Sequence, residues 1–170
     1  MADPRLMWDR LPARVEGVIA ERVGRLPSEL REHLTVASVE GETFTAEVVA
    51  SARGIEETRV ITAMSGPLSK DHRLIVADSV RRVGGRRLSR YRFRHALFQT
   101  YLYREQDGVQ RARHHEAVGK ALEALHGEHA GEISRDLAHH FQAAQMLPEA
   151  VAYLLQAGKR AARLCANEEA

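Results

Sequence analysis

The sequence predicts a mainly α protein in two parts: a helical segment carrying one β-hairpin, then an array of α-hairpins. Three observations carry this. Apolar residues recur at helical spacing on both sides of residues 74–94. Between them the period shortens around Gly84-Gly85, a tight-turn signal because both residues accept positive φ. After Phe93 the helical period returns in several runs separated by short turns.

The elements follow in order. Pro12 sits where a first-turn proline is tolerated, and Leu11, Val15, Val18, Ile19 and Val23 make a helical stripe. Residues 24–27 break it. Ser28 is a plausible N-cap for a helix carrying Leu30, Leu34 and Ala37, which Gly41 stops. Phe44 stands in a short extended piece. Thr45 can cap a helix through Val48, Val49 and Ala52, ended by Gly54. Ile55 to Met64 reads as a further helix, halted by Gly66-Pro67. Strands are expected at about 74–83 and 87–94, with room for a bulge. Helices followed by a hairpin form the winged-helix pattern. Beyond it, Leu97, Tyr101 and Leu102 mark one helix, and Ala117 to Leu125 another. Ile133, Leu137, Ala138, Phe141 and Ala144 mark a third. Pro148 opens a fourth, with Val151, Leu154, Leu155, Ala161 and Leu164. Residues 148–155 resemble the second helix of a tetratricopeptide unit. The expected domains are 1–106, helical segment plus winged helix, and 107–170, truncated tetratricopeptide-like repeats.

The 170 residues are 44% hydrophobic and 28% charged, with a formal net charge of +2. That mix suits a globular domain and excludes a wholesale polycation. The charge is unevenly spread: residues 1–73 are net −2, residues 74–113 net +7 and residues 114–170 net −3. Every basic residue of the middle region is arginine. One cysteine, Cys165, excludes an internal disulfide and a thiolate metal cage. Residues 1–8 lack the apolar run of a signal peptide, and no stretch has the apolar length of a membrane helix. A cytoplasmic protein without membrane contact is expected. Met-Ala-Asp-Pro at the start and Asn167-Glu168-Glu169-Ala170 at the end read as the edges of a piece cut from a longer chain.

Catalytic motifs are missing. The Gly-Lys pairs at 119–120 and 158–159 would need glycine at positions held by His114 and Tyr153 to form a phosphate loop. No Gly-x-Gly-x-x-Gly or Gly-x-Ser-x-Gly occurs. No catalytic residue is therefore expected. The doublets His114-His115 and His139-His140 point about 100° apart on a helix, so neither is a ligand pair. His126 and His129 lack a carboxylate partner pattern. No metal site is expected, and Cys165 lacks a nearby base.

Arg81, Arg82, Arg86, Arg87, Arg90, Arg92 and Arg94 fall on the hairpin. Alternation places Arg90, Arg92 and Arg94 on one face and Tyr91 and Phe93 on the other. The first three are a candidate anion-binding patch for nucleotide or nucleic-acid phosphates, or a solvated sheet face. The candidate base-reading helix, 45–53, has one Arg and one Glu, which argues against sequence-specific DNA binding. His95 follows the second strand and begins a helix, where free N–H groups favour a phosphate, although spacing alone favours a capping or packing histidine.

Taken together, these residues resemble a family. Leu11-Pro12-Ala13-Arg14-Val15 through Arg22-Val23-Gly24-Arg25-Leu26-Pro27, and Leu34-x-x-Ala37-Ser38-Val39-x-Gly41-x-x-Phe44, are similar to the end of the ATPase module in bacterial STAND proteins (signal-transduction ATPases with numerous domains). Tyr91-Arg92-Phe93-Arg94-His95-Ala96-Leu97 and Arg113-x-His115-x-x-Val118-Gly119-x-Ala121-Leu122 resemble their winged-helix-to-repeat junction. His139-His140-Phe141-x-x-Ala144 and Glu149-Ala150-x-x-Tyr153-Leu154-x-x-Ala157-Gly158 resemble the start of their tetratricopeptide array. The resemblance covers residues 11–170.

The resemblance implies a P-loop ATPase core ahead of this segment and sensor repeats after it. It implies ATP or ADP as the parent's cofactor, with none bound by this piece alone. It also implies a winged helix that holds the parent off in its ADP state. His95 matches the His of the Met-His-Asp motif in related NB-ARC ATPases, which contacts the ADP β-phosphate. Ala96 stands where that motif has Asp, so only the His carries over. The expected function is a non-catalytic regulatory and interaction module. Its partners would be the parent's ATPase core and a protein or small-molecule signal at the repeats. The runner-up is a DNA-binding winged-helix transcriptional regulator with a helical dimerisation tail.

Overall fold

The computed structural model describes the backbone of residues 13–168 and the side chains of residues 14–164. The readings made at residues 1–12, on the Cys165 side chain and at residues 167–170 fall outside the described side chains. The protein is mainly helical, with one three-stranded antiparallel sheet in the order β1-β3-β2. Helix α1 (Ala13–Gly24) leads to α2 (Ser28–Glu40), β1 (Thr43–Thr45), α3 (Ala46–Arg53) and α4 (Glu57–Ala63). The hairpin is β2 (Ile75–Val83) and β3 (Arg86–Phe93). Then come α5 (Ala96–Arg104), α6 (Gly108–His126), a 3-10 segment (Gly127–Ile133), α7 (Ser134–Ala143) and α8 (Leu147–Glu168).

The hairpin lies within one residue of its expected span at each end. Gly84 and Gly85 take φ 53° and 81°, as a two-residue primed turn requires. The register shifts between Ala77 and Ser79, the expected bulge. β1 pairs Thr43 with Arg92, Phe44 with Tyr91 and Thr45 with Arg90. Phe44, Tyr91 and Phe93 therefore share the inner face. The Phe44 and Phe93 rings meet at 5.0 Å, and those of Phe44 and Tyr91 at 6.3 Å.

Gly66-Pro67 does not halt the chain as expected. A π-helical turn, Met64–Asp71, continues α4 through both residues. Pro67 lacks an N–H and cannot donate to the α-helical ladder. Its carbonyl instead accepts the His72 N–H at 2.9 Å, a five-residue step. Met64 and Leu68 anchor the turn in the core, and Ser65 Oγ meets Tyr91 Oη at 2.7 Å.

One hydrophobic core runs from α1 to α8. Helix α6 packs against α2 and α3 as well as α7. At the expected domain boundary, the buried Gln106 donates to Thr35 O, Ser38 Oγ and Leu102 O from its amide nitrogen. The apolar stripe expected on α8 is only partly used. Ala150 and Tyr153 are buried, whereas Val151, Leu154, Leu155 and Leu164 are exposed. Among the described residues α8 meets only α7 and the 3-10 segment in extended contact, so one flank is covered and the other is not. No helix among the described residues is long and apolar enough to cross a membrane.

Candidate functional site

His95 sits where the sequence places it, between β3 and α5. Its backbone is extended (φ −136°, ψ 135°) and it is the N-cap residue of α5, yet its side chain makes no capping bond. The Phe98 N–H donates to the His95 carbonyl at 3.1 Å. The exposed imidazole tilts against the Phe98 ring at 6.2 Å. It borders a cavity of about 340 Å³ lined by Val15, Val18 and Ile19 of α1 and by Leu97 and Phe98 of α5. Arg22 caps this groove: its guanidinium lies 5.0 Å over the Phe98 ring and donates to His72 O at 3.0 Å. The arrangement combines the free N–H groups of a helix start with an imidazole, both suited to an anion, beside an apolar face.

The three arginines of the expected patch part company. Arg94 lies beyond the end of β3; its backbone N–H bonds Leu74 O at 2.9 Å, and its side chain is exposed. Arg92 is exposed on the strand, with Nε 4.0 Å from Asp78 Oδ1. Arg90 is half-buried, and its Nε is shut away from solvent without a hydrogen-bond partner. Strand alternation does place Arg90 and Arg92 on one face. That face also carries the buried Leu88, because the helical array covers its inner half. The sequence could not reveal this: the cover is supplied by residues more than thirty positions away, from Leu122 onward.

Arg90 borders a cavity of about 480 Å³ between the sheet and the array. Thr43 and Thr45 of β1 and Arg81, Val83 and Leu88 of the hairpin form one wall. Leu122 and His126 of α6, Asp136, His139 and His140 of α7 and Arg160 of α8 form the other. Glu40, at the end of α2, closes one side. It accepts from the Thr45 N–H at 2.9 Å and the Thr45 hydroxyl at 2.8 Å. Burial pushes its carboxyl up to about 7, against the opposing pull of the Thr45 bonds and Arg90.

Histidines that looked unrelated along the chain also meet. His115 of α6 and His140 and His139 of α7 form a triangle of rings with centroids 5.1–5.5 Å apart. His139 and His140, adjacent on α7, touch each other and both meet His115 across the helix contact. Among the described residues no group of three or more His, Cys, Asp or Glu side chains is placed to hold a metal.

Fold and site define a mainly helical protein with a small antiparallel sheet and an arginine-bearing cavity where sheet and helical array meet. No family model, curated protein or solved structure matches the chain.

Proposed function

We propose that the chain is a non-catalytic regulatory module of a STAND-type ATPase. It couples the nucleotide state of an ATPase core in the parent protein to signal sensing by helical repeats. The observation that carries this reading is the position of His95. It joins the last strand of a helix–strand–helix–helix–hairpin unit, 28–93, to α5 and stands exposed at that helix start without a capping role. The strand order β1-β3-β2 fits a winged helix, and α7 packing on α8 across a short turn fits a first tetratricopeptide-like hairpin.

In this reading an ADP phosphate bridges the core and the winged helix through His95 and the first N–H groups of α5, favouring a closed state. The apolar groove of Val15, Val18 and Phe98 beside it would face the same core. In the full-length parent, His95→Ala is expected to speed ADP loss by about tenfold, the worth of one charge-assisted hydrogen bond. Unchanged ADP retention together with unchanged basal activity would overturn the assignment.

The DNA-regulator reading is the weaker one. Helix α3, the segment expected to read bases, packs between the sheet and α6, with Ala46, Val48, Val49 and Ala50 buried. Helix α3 thus has no face to offer a groove, although Thr58, Arg59 and Thr62 of α4, the helix next to the hairpin, stay exposed. Tight binding to duplex DNA with a steep salt dependence would restore that reading.

A further inference from the structure

We propose that the uncovered face of α8 pairs with the same face of a second copy of this chain, the two helices running antiparallel. The proposal does not rest on a nucleotide-regulated parent. It starts from apolar surface without cover. Leu147, Val151, Leu154, Leu155 and Leu164 are each 52–62% exposed. A single exposed leucine needs no explanation, but five such side chains on one helix form a patch. From Gly158 to Leu164 every residue is exposed, so these last two turns have little of their own chain to lean on. A helical stretch that short owes most of its stability to packing.

Helical spacing arranges the patch. Leu147, Val151, Leu154, Gly158 and Ala161 follow one another at steps of four and three, the repeat of a seam between two helices. Leu155 flanks the seam on one side and Leu164 on the other. Another side of α8 is already occupied: Tyr153 stacks on Phe141, and Arg160 donates to Gly131 O at 3.3 Å. At about 100° per residue, Glu149, Lys159, Arg160 and Arg163 fall outside the seam and its flanks, so pairing there buries no charge.

The order of residue sizes names the occupant. The first half of the seam is large, Leu147, Val151 and Leu154; the second half is small, Gly158, Ala161 and then position 165. A parallel copy would set large on large and small on small. Turned antiparallel about Gln156, Leu154 faces Gly158, Val151 faces Ala161, and Leu147 faces position 165. Every layer then joins a large side chain to a small one, and each contact occurs twice, as twofold symmetry requires. Leu155 meets its own copy near the axis, and Leu164 comes level with Ala150. An unrelated helix would place no demand on how the two halves of α8 match. The paired stretch, 147–165, is about 27 Å long. Ten half-exposed side chains bury less than the roughly 1,600 Å² of a standard interface, so the dimer is reversible, in the micromolar range.

The test is sedimentation equilibrium of the 170-residue chain at about 1–200 µM, where a monomer–dimer equilibrium is expected. Leu154→Glu should weaken it by about tenfold or more, whereas Ala152→Glu, the same charge off the seam, should leave it within about twofold. Orientation is read in a Cys165→Ser background with a short bifunctional thiol crosslinker. Val151→Cys and Ala161→Cys chains should crosslink when mixed and not when separate, because like positions stand ten residues, about 15 Å, apart. A chain monomeric throughout, equal loss in Leu154→Glu and Ala152→Glu, or crosslinking within each single variant alone overturns the proposal. Should the monomer instead sediment with anionic phospholipid vesicles, a lipid surface covers the face and the proposal falls.

Discussion

His115 and His140 share a hydrogen bond between their Nδ1 atoms, 2.9 Å apart and buried in the contact of α6 with α7. One ring must donate and the other accept, so the pair holds a single proton between these atoms. The Nε2 of His115 meets Tyr103 Oη at 2.9 Å, fixing the outer end of the chain. Burial first, then the neighbouring His115 and His139, lowers His140 to about 3. Burial first, then His139, Arg111 and His114, lowers His115 to about 4. In the unfolded chain these rings take up protons near 6.5; in the folded protein they resist. The unfolded state therefore binds more protons as pH falls. The pair's contribution is complete above about pH 6.5 and is lost progressively toward pH 4. His33, lowered to about 4 by burial and Arg53, acts in the same direction. The urea midpoint of the wild type should drop between pH 7 and pH 4.5, and that of His140→Phe should drop less. Parallel curves for the two proteins would refute the assignment.

Glu40 contributes the opposite slope. Its carboxyl titrates near 7 in the folded protein and near 4.5 when unfolded. The folded state holds the extra proton between those values, so the stability linked to this group is full below about pH 4.5 and lost as pH rises through 7. Glu40→Gln cannot ionise, and its amide can still serve both Thr45 groups. Relative to wild type, the variant should gain stability from pH 5 to pH 8. A constant difference across that range, measured by thermal unfolding, would show that Glu40 is not perturbed.

Gly119 and Gly158 test packing against propensity. A Cβ at Gly119 would lie 3.2 Å from Phe141 Cε1 and 3.3 Å from His140 Cβ. Phe141 is buried and stacked on Tyr153 at 5.7 Å, so it has no room to retreat. Overpacking of this kind costs about 1–3 kcal/mol, which exceeds the helix-propensity gain of about 1 kcal/mol. Gly119→Ala should therefore lower the melting temperature. Gly158→Ala, on the exposed side of α8 with nothing within 4 Å of the new methyl, should raise it. Equal shifts for both would mean that α6 and α7 are less closely packed than the geometry indicates.

Much of this was legible because the deciding signals were local. Gly84-Gly85 and the alternation of Tyr91 and Phe93 were enough to locate the hairpin, and Pro148 was enough to locate the start of α8. The π-helical turn was not legible. Pro67 reads as a stop wherever the chain can leave the helix, and here buried Met64 and Leu68 hold the chain in it. The separation of Arg90 from Arg92 and Arg94 was hidden for a different reason. Alternation assigns a face but not what covers it, and the cover comes from α6 and α7. The meeting of His115 with His140 likewise depends on where two helices touch.

Glu47 shows how the hairpin is locked to the helices. β1 stops at Thr45, so no strand backbone remains beside Ser89 on that edge of β3. Glu47, in the first turn of α3, supplies the missing acceptor: its Oε2 takes the Ser89 N–H at 2.8 Å. The carboxylate also sits at a helix start, where the partial positive charge favours it. Its side chain is almost wholly buried, so water cannot replace it. Glu47→Ala leaves the Ser89 N–H bare and a small void beside it, a loss of about 1–3 kcal/mol. Glu47→Gln keeps an acceptor and should recover part of that loss. The local signature is faster hydrogen exchange at the Ser89 amide in Glu47→Ala than at the Arg92 amide of the same strand. Equal protection of the two amides would mean that β3 is held by its neighbouring strands alone.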